Sequence, residues 1–360
     1  MRLLVATPLY PPEPGGPATY AKLLEERLPQ QGIRVKVVPF SLVRHHAPVV
    51  RHIVYSLMLA RYAGQADVIF VQDTFSTGAP AALVAWIFRK PLILRVPGDY
   101  AWEQGTQRFG VTDGIDSFQK TRYGMRVEIL RMVQKFVARR ADIVITPSTY
   151  FTRIVSGWGV EPSRLRTIYN GIDMSMDAEE PGNMPTGRIL VTIGRLTPWK
   201  GFDMLIELME ELPDWTLVIV GDGPQRQELK RKALMAGVAN RVIFTGAVSR
   251  ARMFGWCQVS DAFALNTSFE SFSFQVVEAM HAGIPVITTT AGSLPEIVEN
   301  GAEGILCAPG DKIAFVSAIK SVLSEPDQWR SRTKRAREKA GRFSIDSTLE
   351  QLTTEIRSLV

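Results

Sequence analysis

Short apolar runs alternate with amphipathic stretches along the whole chain. The apolar runs include LLVATPL, VKVVPF, DVIFVQD and ADIVITPS in the first half, and RILVTIG, WTLVIVGDG, RVIFTGA and IPVITT in the second. Stretches with helical spacing stand between them, for example GGPATYAKLLEERLPQQG and KGFDMLIELMEEL. Strands that are buried on both faces and joined by crossover helices produce this pattern. The sequence therefore predicts parallel sheets with helices on both sides, which is an α/β fold.

The pattern is interrupted once, at DAEEPGNMPTG, residues 177–187, which is rich in proline, glycine and acidic residues. Such a composition predicts an interdomain linker. We therefore expect two doubly wound domains in series, over residues 1–180 and 181–340. The segment 341–360 ends in SIDSTLEQLTTEIRSLV, an amphipathic helix that we expect to pack back on the N-terminal domain.

Composition is that of a globular protein, with 46% hydrophobic and 22% charged residues. No apolar run reaches the ~18–20 residues of a transmembrane helix, and the N-terminal stretch predicts a first strand rather than a signal peptide. Cys257 and Cys307 form no close-spaced motif, which argues against a disulfide framework or a zinc site and fits a reducing compartment.

The net charge of +6 lies wholly in the first half of the chain. Residues 1–180 contain 22 Lys and Arg against 16 Asp and Glu, whereas residues 181–360 contain 20 of each. This asymmetry suggests an anionic partner such as a membrane surface, a phosphorylated acceptor or nucleic acid. Nucleic acid is disfavoured because no recognised binding module is present.

Residues 119–140, QKTRYGMRVEILRMVQKFVARR, interleave basic and apolar side chains. The pattern suits an amphipathic basic helix that lies on anionic lipid. The alternative is a helix that packs on the core and exposes a solvated basic face. Nearby histidines at positions 45, 46 and 52 lack the spacing of a metal cluster and are interpreted as surface residues.

Candidate site residues follow the predicted strands, where ligands bind in open α/β sheets. Gly15 and Gly16 follow the first strand and precede a helix, so the backbone there can approach an anion, although a tight turn would need glycine equally. Arg195 follows the strand ILVTI, and Lys200 stands just before the next helix. A guanidinium and an ammonium at such a turn suit a diphosphate, and a solvated surface pair is the alternative.

Two carboxylates stand eight positions apart in FESFSFQVVEAM. We expect Glu270 in a loop and Glu278 in the second turn of a helix that starts near Ser273. The N–H groups of residues 271–273 would attract phosphate, while the carboxylates would accept hydrogen bonds from hydroxyls. A ligand with a diol and a diphosphate satisfies all these groups, which describes a nucleotide sugar.

These segments together resemble the donor half of the family 4 retaining glycosyltransferases, which have the GT-B fold. The resemblance is carried by GRLTPWKGFDMLIEL, VIVGDGPQRQELKRKA, VIFTGAVS and the E-x7-E motif followed by HAGIPVITTTAGSLPEIVENG. Residues 141–173 resemble the segment that enters that half. The resemblance is strong over 141–310 and diffuse over 30–140, and it implies two Rossmann-like domains that face a cleft.

The resemblance also implies a role for each matching residue. Arg195 and Lys200 match the family's diphosphate-binding residues, Glu278 matches the glutamate that holds the ribose, and Glu270 matches the one that contacts the transferred sugar. Gly16, with its neighbour Gly15, matches the turn that approaches the phosphates.

Other positions of the donor site follow from the same resemblance. The base is expected along the loop from Gly246 through Val248 to Ser249, held largely by backbone. Phe272 and Ser273 match the family's segment after the first glutamate. That segment usually contains glycines, which Ser271 and Ser273 replace here, so the transferred sugar stays open.

The family often has a histidine after the fourth strand of the first domain, whereas this chain reads LILRVPGDYAWE. Asp99 or Arg95 occupies that region, and we take Asp99 as the catalytic candidate. An aspartate that merely turns the loop is the alternative.

The function implied is a retaining, metal-independent transferase that needs no cofactor and uses a UDP- or GDP-sugar. No Asp-x-Asp occurs in the chain, so the metal-and-diphosphate motif of the other transferase fold is absent. The acceptor would be a glycan or a lipid-linked molecule in envelope or exopolysaccharide synthesis. The expected location is cytoplasmic, at the inner face of the cell membrane.

Other functions are possible on a fold of this kind. A nucleotide-sugar 2-epimerase would bind the same donor on the same fold, and an inactive nucleotide-sugar-binding scaffold would bind it without transfer. A nicotinamide-dependent dehydrogenase is poorly supported because no GxGxxG follows the first strand of either half.

Overall fold

The computed structural model describes residues 1–13, 15–175, 177–182 and 184–360, and these form two compact units. The first unit contains Met1–Tyr169 and Thr348–Val360, and the second contains Asn170–Ser347. The chain thus changes unit at residues 169 and 347, whereas the sequence pattern places the boundaries at 180 and 340.

The predicted linker, residues 177–187, lies within the second unit, apart from Asn183, which is outside the described residues. Its Glu179 accepts a hydrogen bond of 3.0 Å from the Ser249 hydroxyl and forms an ion pair with Arg252. Gly255 packs so closely on this segment that an added Cβ would lie 2.0 Å from the Glu179 carbonyl oxygen. The segment is therefore anchored to the second unit.

The first unit is built on a six-stranded parallel sheet in the order β2-β1-β3-β4-β5-β6. Every residue of its central strands β3, β4 and β5 is buried, as expected for a sheet covered on both faces. The final short strand was missed by the sequence pattern. The strands are β1 (Arg2–Thr7), β2 (Arg34–Pro39), β3 (Val68–Val71), β4 (Leu92–Arg95), β5 (Ile143–Thr146) and β6 (Leu165–Thr167).

Among the described residues of 1–169, seven α-helices follow these strands. From β2 onward each connection moves in the same direction along the sheet, so right-handed crossovers place α2, α3 and α6 side by side on one face. In agreement, α2 packs along α3 and α3 along α6. The helices are α1 (Gly16–Arg27), α2 (Pro48–Ala63), α3 (Gly78–Phe88), α4 (Tyr100–Arg108), α5 (Ile115–Phe118), α6 (Met125–Arg140) and α7 (Thr149–Ser156).

The second unit repeats the architecture with a second six-stranded parallel sheet, in the order β12-β11-β10-β7-β8-β9. The order reverses between β7 and β10, which is the topological switch point of a doubly wound sheet. The strands are β7 (Arg188–Ile193), β8 (Trp215–Val220), β9 (Val242–Gly246), β10 (Ala262–Leu265), β11 (Val286–Thr289) and β12 (Ile305–Cys307).

The helices of the second unit cover both faces of its sheet, and a core of aliphatic and aromatic side chains fills the layer beneath α8, α9 and α13. They are α8 (Phe202–Glu207), α9 (Arg226–Met235), α10 (Arg250–Val259), α11 (Phe274–Ala282), α12 (Leu294–Ile297), α13 (Lys312–Ser324) and α14 (Pro326–Ala340). The last helix, α15 (Ile345–Arg357), belongs mostly to the first unit, where Glu355 pairs with Arg166 at 3.0 Å.

Candidate active site

The candidate site of the second unit lies where its strand order reverses. Arg195 and Lys200 are on the loop after β7, and Glu270 is on the loop after β10. Because β7 and β10 are paired neighbours whose carboxyl ends share one edge of the sheet, the two loops meet. The sequence prediction that these residues follow strands is confirmed.

The loop after β7 is fastened to the end of β10 by backbone hydrogen bonds and by one glycine. The Trp199 carbonyl oxygen accepts bonds from the Ser268 N–H at 2.8 Å and from the Thr267 hydroxyl at 3.1 Å. Gly201 has a φ of +60°, and a Cβ there would lie 2.0 Å from the Asn266 carbonyl oxygen. No other residue fits at position 201, so this approach fixes where Lys200 lies.

Lys200 and Glu270 form an ion pair between the Lys200 Nζ and the Glu270 Oε1. Their side chains are only 12% and 8% exposed. A second contact holds the Glu270 backbone, because the Ser293 N–H donates to its carbonyl oxygen at 3.0 Å. Gly292, with a φ of +59°, packs against the same oxygen, and an added Cβ would lie 2.2 Å from it. Gly292 was not singled out from the sequence, although the AGS turn before LPEIV signals it.

Arg195 is exposed at the mouth of this loop, and none of the described residues forms an ion pair with it. The neighbouring backbone is held by the loop after β8, where the Leu196 N–H donates to the Asp222 carbonyl oxygen at 3.0 Å. Gly223 lies so near that an added Cβ would be 2.5 Å from the Leu196 nitrogen. The VIVGDG motif therefore supports the loop that carries Arg195.

Glu278 lies in the second turn of α11, as predicted, and its side chain is 2% exposed. Its Oε1 accepts hydrogen bonds from the Arg250 Nε at 2.9 Å and Nη2 at 2.6 Å. Burial raises the pKa of Glu278 above the usual glutamate range, and the charge and hydrogen bonds of Arg250 act in the opposite direction. Both bonds fall on one oxygen, so Oε2 keeps its acceptor capacity for a ligand hydroxyl.

Sequence reasoning missed Arg250, which is the first residue of α10. It directly follows the VIFTGAVS segment that was assigned to the base. Its position one residue beyond that loop could have indicated Arg250 as a site residue, but the sequence does not show that α10 and α11 pack together.

Ser273 is the N-cap residue of α11, which begins at Phe274, one position after the expected start near Ser273. It is fully buried, and its hydroxyl finds no hydrogen-bond partner among the described residues and does not cap the helix. Phe272 is also buried, with its ring edge-on to Phe274 and Phe343. The side chain of Phe272 therefore serves packing.

The loop predicted to hold the base begins at the end of β9. Gly246 has a φ of +75°, and its carbonyl oxygen accepts the Gly221 N–H at 3.0 Å. Val248 is partly exposed, and the Ser249 hydroxyl caps α10 by accepting the Arg252 N–H at 3.1 Å.

The first unit has its own switch point, between β1 and β3. Gly15 and Gly16 follow β1 and are exposed, and within the described part of the chain no other heavy atom lies within 4 Å of the position that a Cβ on Gly16 would take. The loop after β3 carries Asp73, whose carboxylate accepts the Phe75 and Thr77 N–H groups at 2.7 and 3.1 Å. Burial raises the pKa of Asp73, and these bonds lower it in part. Sequence reasoning did not single out Asp73.

Asp99 is completely buried and is the N-cap residue of α4. Its Oδ1 accepts the Trp102 N–H and the Gln134 Nε2, each at 3.0 Å, and its Oδ2 accepts the Gln119 Nε2 at 2.8 Å. These bonds give Asp99 a structural role as a helix cap, and its catalytic role stays a prediction. Arg95, at the end of β4, lies 4.0 Å above the Tyr20 ring, and burial lowers its pKa.

Across residues 1–13, 15–175, 177–182 and 184–360, no group of three or more His, Cys, Asp and Glu side chains could hold a metal ion. Within the same ranges, no helix has both the length and the apolar character needed to cross a membrane.

Two family models match the chain in succession. The glycosyl transferase 4-like domain matches residues 2–171, and the model described as glycosyl transferases group 1 matches residues 176–340. A glycogen synthase from Mycobacterium tuberculosis is 28% identical over 281 residues, which cover 76% of this chain and 64% of that protein.

A second relative is a GDP-mannose-dependent alpha-(1-6)-phosphatidylinositol monomannoside mannosyltransferase from Mycolicibacterium smegmatis. It is 29% identical over 248 residues, which cover 58% of this chain and 64% of that protein. The chain thus matches less than two thirds of the length of these two relatives.

Among solved structures, Anabaena HepE in complex with UDP and glucose superposes with a TM-score of 0.78 at 20% identity, and 99% of each chain is covered. At this identity the likeness shows the fold, which is GT-B. Because the two family models together account for nearly the whole chain, and both of its sheets are doubly wound, this protein belongs to the family 4-like group 1 glycosyltransferases.

Proposed function

We propose that this protein is a retaining glycosyltransferase that moves a sugar from a nucleotide-diphosphate-sugar to a hydroxyl of a glycan or lipid-linked acceptor. The observation that carries the proposal is the Lys200–Glu270 ion pair at the switch point of the second sheet. A cation and a carboxylate held together at this edge serve both parts of such a donor, the diphosphate and the transferred sugar.

Lys200 and Arg195 would bind the diphosphate. The ion pair uses one of the three N–H donors of Lys200, so two remain for phosphate oxygens. Arg195 is exposed and offers its planar fork from the same loop. Their positive charge stabilises the negative charge that grows on the leaving phosphate, which is the main catalytic demand of the reaction. The proposed reaction uses no metal and no cofactor.

Glu270 would hold the transferred sugar, because its Oε2 is left to accept a sugar hydroxyl while Oε1 faces Lys200. Glu278 would hold the ribose through its Oε2, while the charge and hydrogen bonds of Arg250 favour the ionised form of the carboxylate. The base would lie on the loop around Gly246 and Val248, and the backbone from Phe272 to Ser273 would contact the donor.

The donor is proposed to be a UDP- or GDP-sugar. Support comes from HepE, which was solved with UDP and glucose, and from the mycobacterial relative, which is GDP-mannose-dependent. The same relative acts on a phosphatidylinositol mannoside, which supports a lipid-linked acceptor. A lipid-linked acceptor would place the protein in the cytoplasm at the inner face of the cell membrane, in envelope or polysaccharide synthesis.

The configuration at the anomeric carbon is retained if the acceptor hydroxyl attacks from the side on which the diphosphate leaves. The bond from the acceptor oxygen to the anomeric carbon forms while the bond to the phosphate oxygen breaks. The acceptor proton passes to the departing phosphate, and a nucleoside diphosphate is released. Gly15 and Gly16 remain predicted phosphate contacts, and Asp99 remains the predicted catalytic residue of the first unit.

A donor-turnover assay with EDTA present tests the proposal. UDP- and GDP-sugars are incubated with an acceptor mixture from membrane lipids, and the released nucleoside diphosphate and the anomeric configuration of the product are measured. Release that depends on Lys200 and Glu270, with retained configuration, is expected. Isomerisation of the donor without acceptor, or tight donor binding without any release, would contradict it.

A further inference from the structure

Three neighbouring helices of the first unit expose an unusual amount of apolar surface. Among the described residues, 20 large hydrophobic side chains are exposed, and 12 of these lie on α2, α3 and α6. The three helices together contain only 43 residues. Exposed apolar side chains that are scattered singly need no explanation, but a continuous group of them marks an interaction site.

Helix α6 shows the arrangement most clearly. Its inner side packs on the unit through Val127, Gln134 and Val137, as an amphipathic helix should. Its outer side carries a second apolar stripe of Met125, Ile129, Met132 and Phe136, which are between 46% and 79% exposed. The spacing of four, three and four residues places these side chains along one line of the helix.

The stripe continues onto the adjacent helices. Trp86, which is 62% exposed, and Ile87 face outward from α3. On α2, Ile53 and Leu57 are exposed one turn apart. The helices are side by side, and Phe88 at the end of α3 lies 3.9 Å from where a Cβ on Gly64, at the end of α2, would be. We call the outward side of α2, α3 and α6 the apolar face.

Positive charge surrounds the apolar face. The first unit contains 23 Lys and Arg against 14 Asp and Glu, a net charge of +9, whereas the second unit has a net charge of −3. Helices α2, α3 and α6 carry seven Lys and Arg and one acidic residue, Glu128. Glu128 pairs with Arg131, which is buried and also donates to the Thr121 carbonyl oxygen. Arg131 therefore stabilises the fold and is not part of the basic rim.

Two grooves bring the basic and apolar groups together. One, beside α6, is lined by Met132 and Phe136 and by Lys135 and Arg139. The other is lined by Trp86 of α3 together with Arg89, Lys90 and Arg140. Arg139 and Arg140, the last two residues of α6, line one groove each.

We propose that the apolar face docks the protein on an anionic lipid membrane, with the outer side chains of α3 and α6 in the acyl-chain boundary and with lipid phosphates in the groove of Arg89, Lys90 and Arg140. Apolar side chains ringed by Lys and Arg, with a tryptophan at their edge, are what an interfacial membrane surface requires. Charge decides against a second copy of this chain, because two such faces would bring like charges together. The inference is independent of the donor assignment. It corrects the expectation for residues 119–140, since the helix begins only at Met125 and shares the surface with α2 and α3.

Vesicle flotation of the full chain tests the proposal. Vesicles of phosphatidylcholine alone are compared with vesicles that also contain phosphatidylglycerol. Binding to the anionic vesicles only, weakened by salt, is expected. Met132→Ser with Phe136→Ser should lower the partition coefficient by more than about tenfold, because transfer of large apolar side chains out of water drives the binding. Arg89→Gln with Arg140→Gln should lower it by about tenfold or more, at roughly fivefold per cation.

Matched controls come from the second unit. Leu234 and Met235 are 68% and 88% exposed, so the double change of both to Ser removes as much exposed apolar surface elsewhere. Arg330→Gln with Lys334→Gln removes two exposed cations elsewhere. Both controls should bind vesicles like the wild type, and all variants should keep their nucleotide affinity.

Trp86 supplies a direct probe, since it is the most exposed of the tryptophans. Its emission should shift to the blue on anionic vesicles and be quenched by lipids brominated on the acyl chain, and both effects should vanish in Trp86→Phe. No flotation, equal binding to neutral vesicles, or equal loss in the controls would overturn the proposal. So would a lipid-free dimer that Phe136→Ser dissociates. If the protein does not bind vesicles but still binds a nucleotide, the membrane proposal is wrong and the transferase proposal is unaffected.

Discussion

Replacing Arg250 by alanine should expose the electrostatic cost of keeping Glu278 ionised inside the second unit. Glu278 is 2% exposed, and both hydrogen bonds to its Oε1 come from Arg250. Removal of one partner of a fully buried pair costs about 3–5 kcal/mol. The Arg250 side chain is 36% exposed, so water screens part of the interaction. We therefore expect a loss of about 1–3 kcal/mol above neutral pH.

The loss should depend on pH in a defined direction. Burial raises the pKa of Glu278 in the folded state, so between the unfolded and folded values the native state binds more protons and stability falls as pH rises. Without Arg250 the folded pKa rises further. The destabilisation by Arg250→Ala should therefore be small below about pH 4, where the carboxyl is mostly protonated in both states. It should grow to its full size above the folded pKa.

Thermal unfolding of the variants over a pH series measures this effect. Each kcal/mol of lost stability lowers Tm by about 2–4 °C for a domain of this length. In a Glu278→Gln background the cost of Arg250→Ala should largely disappear, which isolates the pair. Arg252→Ala is the matched control, because its partner Glu179 is exposed and little change is expected. A shift in Tm that is independent of pH, or that persists with Glu278→Gln, would show that Arg250 does not act through the Glu278 carboxylate.

Three further outcomes follow from the site. Gly292→Ala places a Cβ against the Glu270 carbonyl oxygen and should lower kcat by about tenfold or more. Gly301 is the matched control, because its φ of +80° is also positive but no other atom of the described residues lies within 4 Å of the added Cβ, so Gly301→Ala should retain activity. A kcat that falls equally in both would point to backbone strain alone. Lys200→Met should lower kcat/KM by about a hundredfold, because it removes a group that stabilises the leaving phosphate, and Lys200→Arg should recover part of the loss. Unchanged turnover would show that Lys200 does not contact the donor. Asp99→Asn should lower Tm modestly if the residue only caps α4, and activity measured well below Tm then distinguishes this role from catalysis.

The fold was predictable because buried strands and helices produce regular patterns of apolar residues in the sequence. The short runs before Arg195 and before Glu270 are apolar at almost every position, as strands covered on both faces must be, and the structure confirms them as β7 and β10. The short β6 was missed because only three residues form it, and each is half-buried. In α6 the periodicity indicated a helix, but two apolar stripes on one helix do not reveal which of them packs inward.

The candidate site was predictable only as far as chain position determines geometry. Lys200 and Glu270 could be placed on loops after strands, and the structure joins them because those strands are neighbours. The partner of Glu278 could not be found in this way. Arg250 is 28 residues away in sequence, and only the packing of α10 on α11 brings them together. Nor could the sequence show that the Asp99 carboxylate is already occupied by three hydrogen-bond donors.

Titration calorimetry with UDP and GDP in the presence of EDTA measures whether the switch-point residues bind a nucleotide. One of the two nucleotides should bind the wild type without a divalent metal. Arg195→Ala and Lys200→Met should each weaken the affinity by about tenfold or more, as expected for the loss of a charged phosphate contact. Arg330→Gln, a change of an exposed cation elsewhere in the second unit, should leave the affinity unchanged. If neither nucleotide binds, or if binding is indifferent to Arg195 and Lys200, the assignment of this edge of the sheet as the donor site is wrong.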